Sequence, residues 1–309
     1  MKREGASFAK ALTLGITASF FFAINFVLVR SMNVDGDYFL WTGCLRYFFT
    51  LPLMALLLVR GRGFKHVFAS IKSKPWKWLL WSTVGFGIFY SFISIASLFG
   101  ESWFTAAAWQ FTIVAGVLLT PLFGKKIPAK NLACSVLIVA GIMLMQYSKF
   151  KMGVRANWPM LIITMSVAAF AYPLGNRKMM MTAAEDGLST IERVFGMVLC
   201  SIPFWLICAG ISYANSGLPS GTQCLKAFMI ALFTGTVATS MFFTGTDMVK
   251  HNPRQLAVVE AAQSGEVVFT VIMAVLVLKD DMPDLMGYVG IGIIVLGMIL
   301  NSIAASRDE

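Results

Sequence analysis

Apolar stretches of membrane-crossing length, separated by short clusters of charged and turn-forming residues, recur along this chain from one end to the other. They run from Ala11 to Val29, Tyr38 to Val59, Trp78 to Leu98, Ser102 to Phe123, Asn131 to Tyr147, Trp158 to Asn176, Val194 to Tyr213, Ala227 to Thr246, Gln255 to Leu278 and Leu285 to Ala305. About 20 apolar residues rising 1.5 Å each cross roughly 30 Å of hydrocarbon, where every backbone amide must be bonded within a helix or a closed barrel. The stretches are far longer than the ten or so alternating residues of a barrel strand, so the pattern predicts helices. The expected fold is an all-α membrane protein of ten transmembrane helices.

Composition agrees. Of 309 residues 58% are hydrophobic and 13% charged, against roughly 25% charged in a soluble domain. The first stretch follows Lys2, Arg3 and Lys10 but lacks a convincing small-residue cleavage site, so it reads as a retained span. The cysteines Cys44, Cys134, Cys200, Cys208 and Cys224 are odd in number and mostly inside apolar stretches, which argues against a disulfide framework. A net charge of +10 could suggest nucleic acid, but the bases sit in short loops rather than on one basic face.

Those bases report orientation instead. With the N-terminus inside, the inner loops collect Lys2, Arg3, Lys10, Arg60, Arg62, Lys65, Lys72, Lys74, Lys77, Lys125, Lys126, Lys130, Arg177, Lys178, Lys250, Arg254 and Arg307. The outer loops hold only Arg30, Lys149, Lys151, Arg155, Lys226 and Lys279. Lysine and arginine stay on the cytoplasmic side, so both termini are expected there, in the cytoplasmic membrane of a bacterium.

The two halves also resemble each other at a shift of roughly 150 residues. Ile16, Thr17 and Ser19 recur as Ile163, Thr164 and Ser166, and Arg30 with Met32 as Arg177 with Met179. Arg46 and Phe48 recur as Arg193 and Phe195, and Ile138, Val139 and Gly141 as Ile294, Val295 and Gly297. The last helix of each half follows a charged turn with a proline, Pro128 or Pro283. Five spans per half is an odd number, so the second copy enters from the opposite side and the repeats, residues 1–148 and 149–309, are inverted.

These halves, with Ala23-Ile24-Asn25-Phe26 in the first helix, Arg46-Tyr47 opening the second and glycine-rich terminal helices, resemble the drug/metabolite transporter superfamily with its paired EamA-type domains. The segments from Ala108 to Gly116 and from Val259 to Phe269 are similar to its multidrug resistance efflux branch. The resemblance implies export of small molecules.

Glu260 and Glu266 are the acidic residues well inside a predicted span. A charge at mid-bilayer costs about 2.5 to 3.5 kcal/mol on insertion scales, so such groups face polar cavities and serve ion or proton pathways; packing against neighbouring helices is the plainer alternative. Glu260, Gln263 and Glu266 step by three and share a helix sector roughly 120° wide. In the repeat register Gln110 corresponds to Glu266. Trp109, Tyr90, Tyr47, Trp41 and Tyr172 could supply a ring- or cation-binding wall, with Asn25 as a polar neighbour. Trp and Tyr near span ends, including Trp41, Trp76, Trp78, Trp103 and Trp158, are expected to be interfacial anchors.

Arg46 and Arg193, at helix entrances, are expected to snorkel to the interface, with a gate charge or an anion partner as the alternative. Pro52, Pro121, Pro173 and Pro203 are expected to bend their helices, and Gly287, Gly290, Gly292 and Gly297 to permit close packing.

A secondary active transporter fits these features, with lipophilic cations or drugs exported in exchange for protons, or alternatively an amino acid or related metabolite. A non-transporting scaffold would give paired carboxylates no task. No phosphate loop, metal-ligand cluster or nucleophile motif argues for an enzyme, and His66 and His251 fall in loops. The expectation is no cofactor, no metal and no nucleic acid, with protons as coupling ion and a monomer or weak homodimer in the bilayer.

Overall fold

The structure, a computed structural model, describes residues 2–59, 63–124, 126–127, 129–151, 158–249 and 252–305. Arg60, Arg62, Lys125, Pro128, Arg155, Lys250, His251 and Arg307 lie outside the described residues, as do the side chains of Lys2, Arg3, Lys149, Lys151, Trp158 and Arg254.

Among the described residues the chain is helical throughout its length and contains no strand. The elements are α1 (Lys2–Val34), α2 (Phe39–Val59), a short α3 (Lys65–Ser73), α4 (Pro75–Ala96), α5 (Ser102–Leu118) and α6 (Ala129–Lys151). There follow α7 (Trp158–Glu185), α8 (Thr190–Ser216), α9 (Gly221–Thr246), α10 (Val258–Leu278) and α11 (Leu285–Ala305). Among the described residues eight helices are long and apolar enough to cross a membrane; the apolar parts of α5 and α6, Ser102–Leu118 and Ala129–Met145, are shorter.

Several boundaries differ from the sequence expectation for a physical reason. Arg30, Arg177 and Lys178 were assigned to loops, yet α1 and α7 continue through them. Arg177 Nη1 donates to the Gly116 carbonyl at 2.6 Å and Arg30 Nη1 to the Ser97 carbonyl at 3.3 Å. A long side chain with a backbone acceptor elsewhere in the fold does not need a loop. Pro121 does not bend a helix; it sits in the short turn Thr120–Phe123 after α5, whereas Pro52, Pro173 and Pro203 lie inside α2, α7 and α8.

Helix starts follow local chemistry. Ser189 and Glu192 form a reciprocal capping box at α8, and Ser220 accepts from the Gln223 amide at α9, which satisfies amides that the first helical turn leaves unpaired. Gly36 and Gly187, with φ of +82° and +64°, make the tight turns between α1 and α2 and between α7 and α8, a backbone region closed to most side chains.

Small residues set the packing. A Cβ added at Gly141 would lie 2.7 Å from the Gly290 carbonyl oxygen, and one at Gly297 2.8 Å from Ile138. These contacts join α6 to α11 at close range, the arrangement small residues permit between membrane helices. Gly292 faces open space, so it has no such role. Likewise Gly85 and Gly175 bring α4 against α7, and Gly43 on α2 admits the Trp205 ring of α8.

The expected interfacial anchors divide. Trp76 is 78% exposed, but Trp41, Trp78 and Trp103 are buried. Each has a partner for its indole N–H: the Gly217 carbonyl at 3.0 Å, Ser70 Oγ at 3.0 Å and the Asp281 carbonyl at 3.1 Å. An indole with an internal acceptor can be buried whole, because its one donor is satisfied without water. All five cysteines are free.

Four helices are locally irregular. π-helical turns occupy Thr83–Ile88 in α4 and Ala231–Ala238 in α9. A 3-10 turn occupies Ala262–Ser264 in α10, and α5 is interrupted at Gln110. Such breaks are frequent at functional sites; these four adjoin one cavity, whereas a further π-helical turn, Ala274–Leu278 at the end of α10, does not.

Candidate functional site: a central cavity lined by an arginine and a glutamate

Between the helices lies a cavity of about 230 Å³. From the singled-out residues, Asn25, Arg46, Tyr47, Trp109, Gln110, Tyr172, Gln263 and Glu266 all line it. The elements that bring them are α1, α2, α5, α7 and α10, so residues more than 200 positions apart in sequence share one wall.

The first wall is built around Arg46. Its Nη1 donates to Asn25 Oδ1 at 2.8 Å, and the Tyr90 hydroxyl donates to the same oxygen at 2.8 Å. The guanidinium lies 4.0 Å from the centre of the Tyr90 ring. Tyr47 backs this group, stacked on Trp205 at 4.9 Å and edge-on to Tyr90 at 5.8 Å. Arg46 therefore does not snorkel to the interface: an amide oxygen and an aromatic face hold it inward. Tyr90 is wholly buried behind Arg46 and does not line the cavity.

A second wall is aromatic. Phe89 stands 5.1 Å from Trp109 and 4.8 Å from Tyr172, and Trp109 and Tyr172 are 5.5 Å apart. Ring pairs at 4.5–7 Å are in favourable contact and present flat apolar faces. Trp41, offered for this wall, lies elsewhere, bonded to Gly217.

Glu266 forms the third side. It opens the helical segment after the 3-10 turn of α10, is buried, and faces Gln110 at the break in α5. Gln110 Nε2 also donates to the Ala106 carbonyl at 3.1 Å. The 3-10 turn matters for alignment: at three residues per turn, positions i and i+3 eclipse. Gln263 and Glu266 are thus drawn closer to one line than a regular α-helix would place them.

Glu260 lines a second cavity of about 250 Å³ with Gln263, Ile113, Phe242, Met298, Asn301 and Ser302. Gln263, Ile113, Phe242 and Met298 border both cavities, so the two adjoin. Glu260 itself is exposed.

Arg193, matched to Arg46 by the shift of roughly 150 residues in sequence, does not line the central cavity. It is largely buried within α8, its Nε has no hydrogen-bond partner among the described residues, and its charge acts on Tyr172. The two arginines, alike in sequence, therefore have different environments. Thr50, Asn176, Thr234, Thr239, Phe89, Phe242 and Phe243 also line the cavity. Sequence reasoning did not single them out, since an isolated hydroxyl or phenyl in an apolar helix has no periodic signature. Among the described residues no group of three or more His, Cys, Asp or Glu could hold a metal.

Over residues 9–307 the chain matches the EmrE family, described as "Putative multidrug resistance efflux transporter". It is 40% identical over 311 residues to "Uncharacterized protein YjlA" of Bacillus subtilis (strain 168), covering 96% of this chain and 95% of that one. With "Uncharacterized 42.1 kDa protein in intracellular alkaline protease 3'region" of Shouchella clausii it shares 37% identity over 268 residues, 83% of this chain and 70% of that one. A solved crystal structure superposes with a TM-score of 0.64 over 97% of this chain and 99% of that chain; at 14% identity the likeness is one of fold alone.

Proposed function

The chain belongs to the EmrE family of efflux transporters in the drug/metabolite transporter superfamily, and from that premise we propose that it exports small, ring-bearing organic molecules in exchange for protons. The observation that carries this is Glu266, a buried carboxylate on the wall of an aromatic cavity adjoining a second cavity that holds Glu260. An intramembrane carboxylate is the residue type that proton relays and cation sites use. Phe89, Trp109 and Tyr172 give a ring somewhere to pack, and their faces attract cations.

The proposed cycle is alternating access between two inverted five-helix repeats, residues 1–148 and 149–309, with both termini in the cytoplasm of a bacterium. Paired irregularities support it: the π-turns of α4 and α9, the breaks of α5 and α10, and the glycine turns at Gly36 and Gly187 recur at a shift of roughly 150 residues. Close contacts of α2 with α8 and of α6 with α11 set equivalent helices of the two repeats against each other.

In this cycle proton and substrate compete for Glu266. A cation arriving at the carboxylate displaces its proton, and reprotonation from the other side releases the cation, so the two fluxes are coupled by exclusion. The test is transport in proteoliposomes under an imposed pH gradient, with wild type and Glu266→Gln side by side. A second substrate class, an amino acid or related metabolite, is favoured by Arg46 on the cavity wall.

A further inference from the structure

Arg177 and Lys178 are adjacent on α7, inside the apolar segment Pro159–Glu185, and neither lines either cavity. Arg177 Nη1 donates to the Gly116 carbonyl of α5 at 2.6 Å, and a Cβ at Gly116 would lie 3.2 Å from Nη2, so the glycine lets the guanidinium rest on the α5 backbone. Its central carbon is 5.7 Å from the centre of the Phe123 ring. Lys178 Nζ is 5.1 Å from that same centre and 5.8 Å from the centre of the Trp81 ring. One phenyl ring in the turn after α5 thus gathers both cations, and α4 adds Trp81 on the lysine.

All of these partners are neutral. Among the described residues neither side chain pairs with a carboxylate, and Lys178 Nζ makes no hydrogen bond. The next acids along the chain, Glu185 and Asp186, are held by Lys74. Arg177 uses one of the five N–H donors of its planar fork on Gly116. A ring face attracts a cation without neutralising it, so two like charges around one ring call for a counter-anion.

Depth identifies the source of that anion. α7 begins at Trp158, so Lys178 stands about 20 residues and about 30 Å along the helix, which is the thickness of the hydrocarbon core. Both side chains are half-buried, and α4 and the turn after α5 expose Leu80 and Leu122. Charge at the bilayer boundary beside apolar surface matches an anionic headgroup above its acyl chains. The same end of the molecule is the one that the basic loops assign to the cytoplasm, the leaflet rich in anionic lipid.

We propose that Arg177 and Lys178 form a binding site for the phosphate of an anionic phospholipid, where α4, α7 and the turn after α5 meet. The guanidinium supplies directional N–H donors and the ammonium a second charge. Phe123 and Trp81 position the two cations, and the acyl chains lie along the apolar surface of α4 and the turn. The site is separate from the central cavity and does not depend on what the cavity carries.

In the experiment the full chain, purified in a non-ionic detergent, is titrated with phosphatidylglycerol, phosphatidylcholine or inorganic phosphate. Retained lipid is counted by native mass spectrometry, and melting temperature is followed in parallel. Wild type is expected to retain phosphatidylglycerol over phosphatidylcholine by roughly 10-fold or more, and Arg177→Gln and Lys178→Gln should each lower that ratio by roughly 5-fold, the contribution of one basic residue near an anionic lipid surface. Arg177→Lys, which keeps charge but not the fork, should retain part of the preference. Lys72→Gln removes one exposed charge from α3 at the same end and should leave the ratio unchanged. Phosphatidylglycerol should raise the melting temperature of wild type and not of the double variant.

If Arg177→Gln does not fold, Lys178→Gln against Lys72→Gln decides the matter. Equal losses in those two variants would show a general effect of surface charge and overturn the site, as would equal retention of the two lipids by wild type. Displacement of phosphatidylglycerol by an equal concentration of inorganic phosphate would make the ligand a soluble anion and overturn the lipid assignment. Lipid retention is read without transport, so failure of the exporter reading would leave this outcome untouched.

Discussion

Lys74 Nζ lies 2.7 Å from Asp186 Oδ1, joining the start of α4 to the turn between α7 and α8. The same ammonium reaches Glu185 at 2.9 Å, and Ser70 Oγ donates to Asp186 at 2.5 Å while accepting from Trp78 Nε1. A like clasp stands elsewhere, where Lys226 pairs with Asp35 and Ser220 Oγ donates to Asp37 at 2.9 Å. Each clasp ties the first half of the chain to the second. They sit roughly 150 residues apart, the shift of the proposed repeat.

The clasp at Lys74 has a pH signature. Hydrogen bonds from Lys74 and Ser70 hold the Asp186 carboxyl below its ordinary range, and Asp186 with Glu185 holds Lys74 above its own. A depressed carboxyl stabilises above its unfolded value and loses that contribution as pH falls through the folded one. A raised lysine stabilises below its unfolded value and loses it as pH rises through the folded one. The melting-temperature difference between wild type and Lys74→Ala should therefore be small, flat between about pH 4 and 10, and shrink outside that window. A difference that peaks within it would contradict the assignment.

Glu266→Gln keeps size and hydrogen bonding and removes titration. Proton-driven export should disappear while melting temperature changes little, because a neutral amide of the same size is buried there without a charge to desolvate. Glu260→Gln, in the second cavity, should weaken apparent affinity more than coupling. If Glu266→Gln transports at full rate under a pH gradient and Glu260→Gln does not, the two roles are exchanged.

Packing of α6 on α11 gives a stability test with an internal control. A Cβ at Gly290 would meet Met145 Cγ at 2.6 Å and the Gly141 carbonyl at 2.8 Å, whereas one at Gly292 meets nothing within 4 Å. Gly290→Ala should destabilise by about 1–3 kcal/mol, the range for overpacking. Gly292→Ala should be neutral or slightly stabilising by thermal denaturation in detergent, as alanine has the better helix propensity.

Orientation is checked by labelling. With both termini cytoplasmic, single cysteines at Lys72 and Lys126 should react with an impermeant reagent only from the cytoplasmic side, and one at Asp35 only from outside. Modification of the Asp35 position from the cytoplasm would reverse the topology.

The sequence by itself determined what hydrophobicity alone can encode. Apolar stretches gave the helices, since lipid tolerates no unpaired backbone, and Glu266, Gln263 and Gln110 stood out because a polar group inside a span is costly. The likeness of Arg46 and Arg193 was legible, but their fates were not. Arg46 turns inward because Asn25 of α1 and Tyr90 of α4 meet it there; Arg193 has no such pair. Trp41, Trp78 and Trp103 look like anchors by position along the chain, and are core because acceptors from other elements reach their indoles. Which of two like arginines enters the cavity, and which hydroxyls and phenyls line it, was decided only by tertiary structure. A membrane helix that is apolar on every side carries no amphipathic phase to tell its inner face from its outer one, so the neighbouring helices alone assign each side chain to cavity, core or lipid.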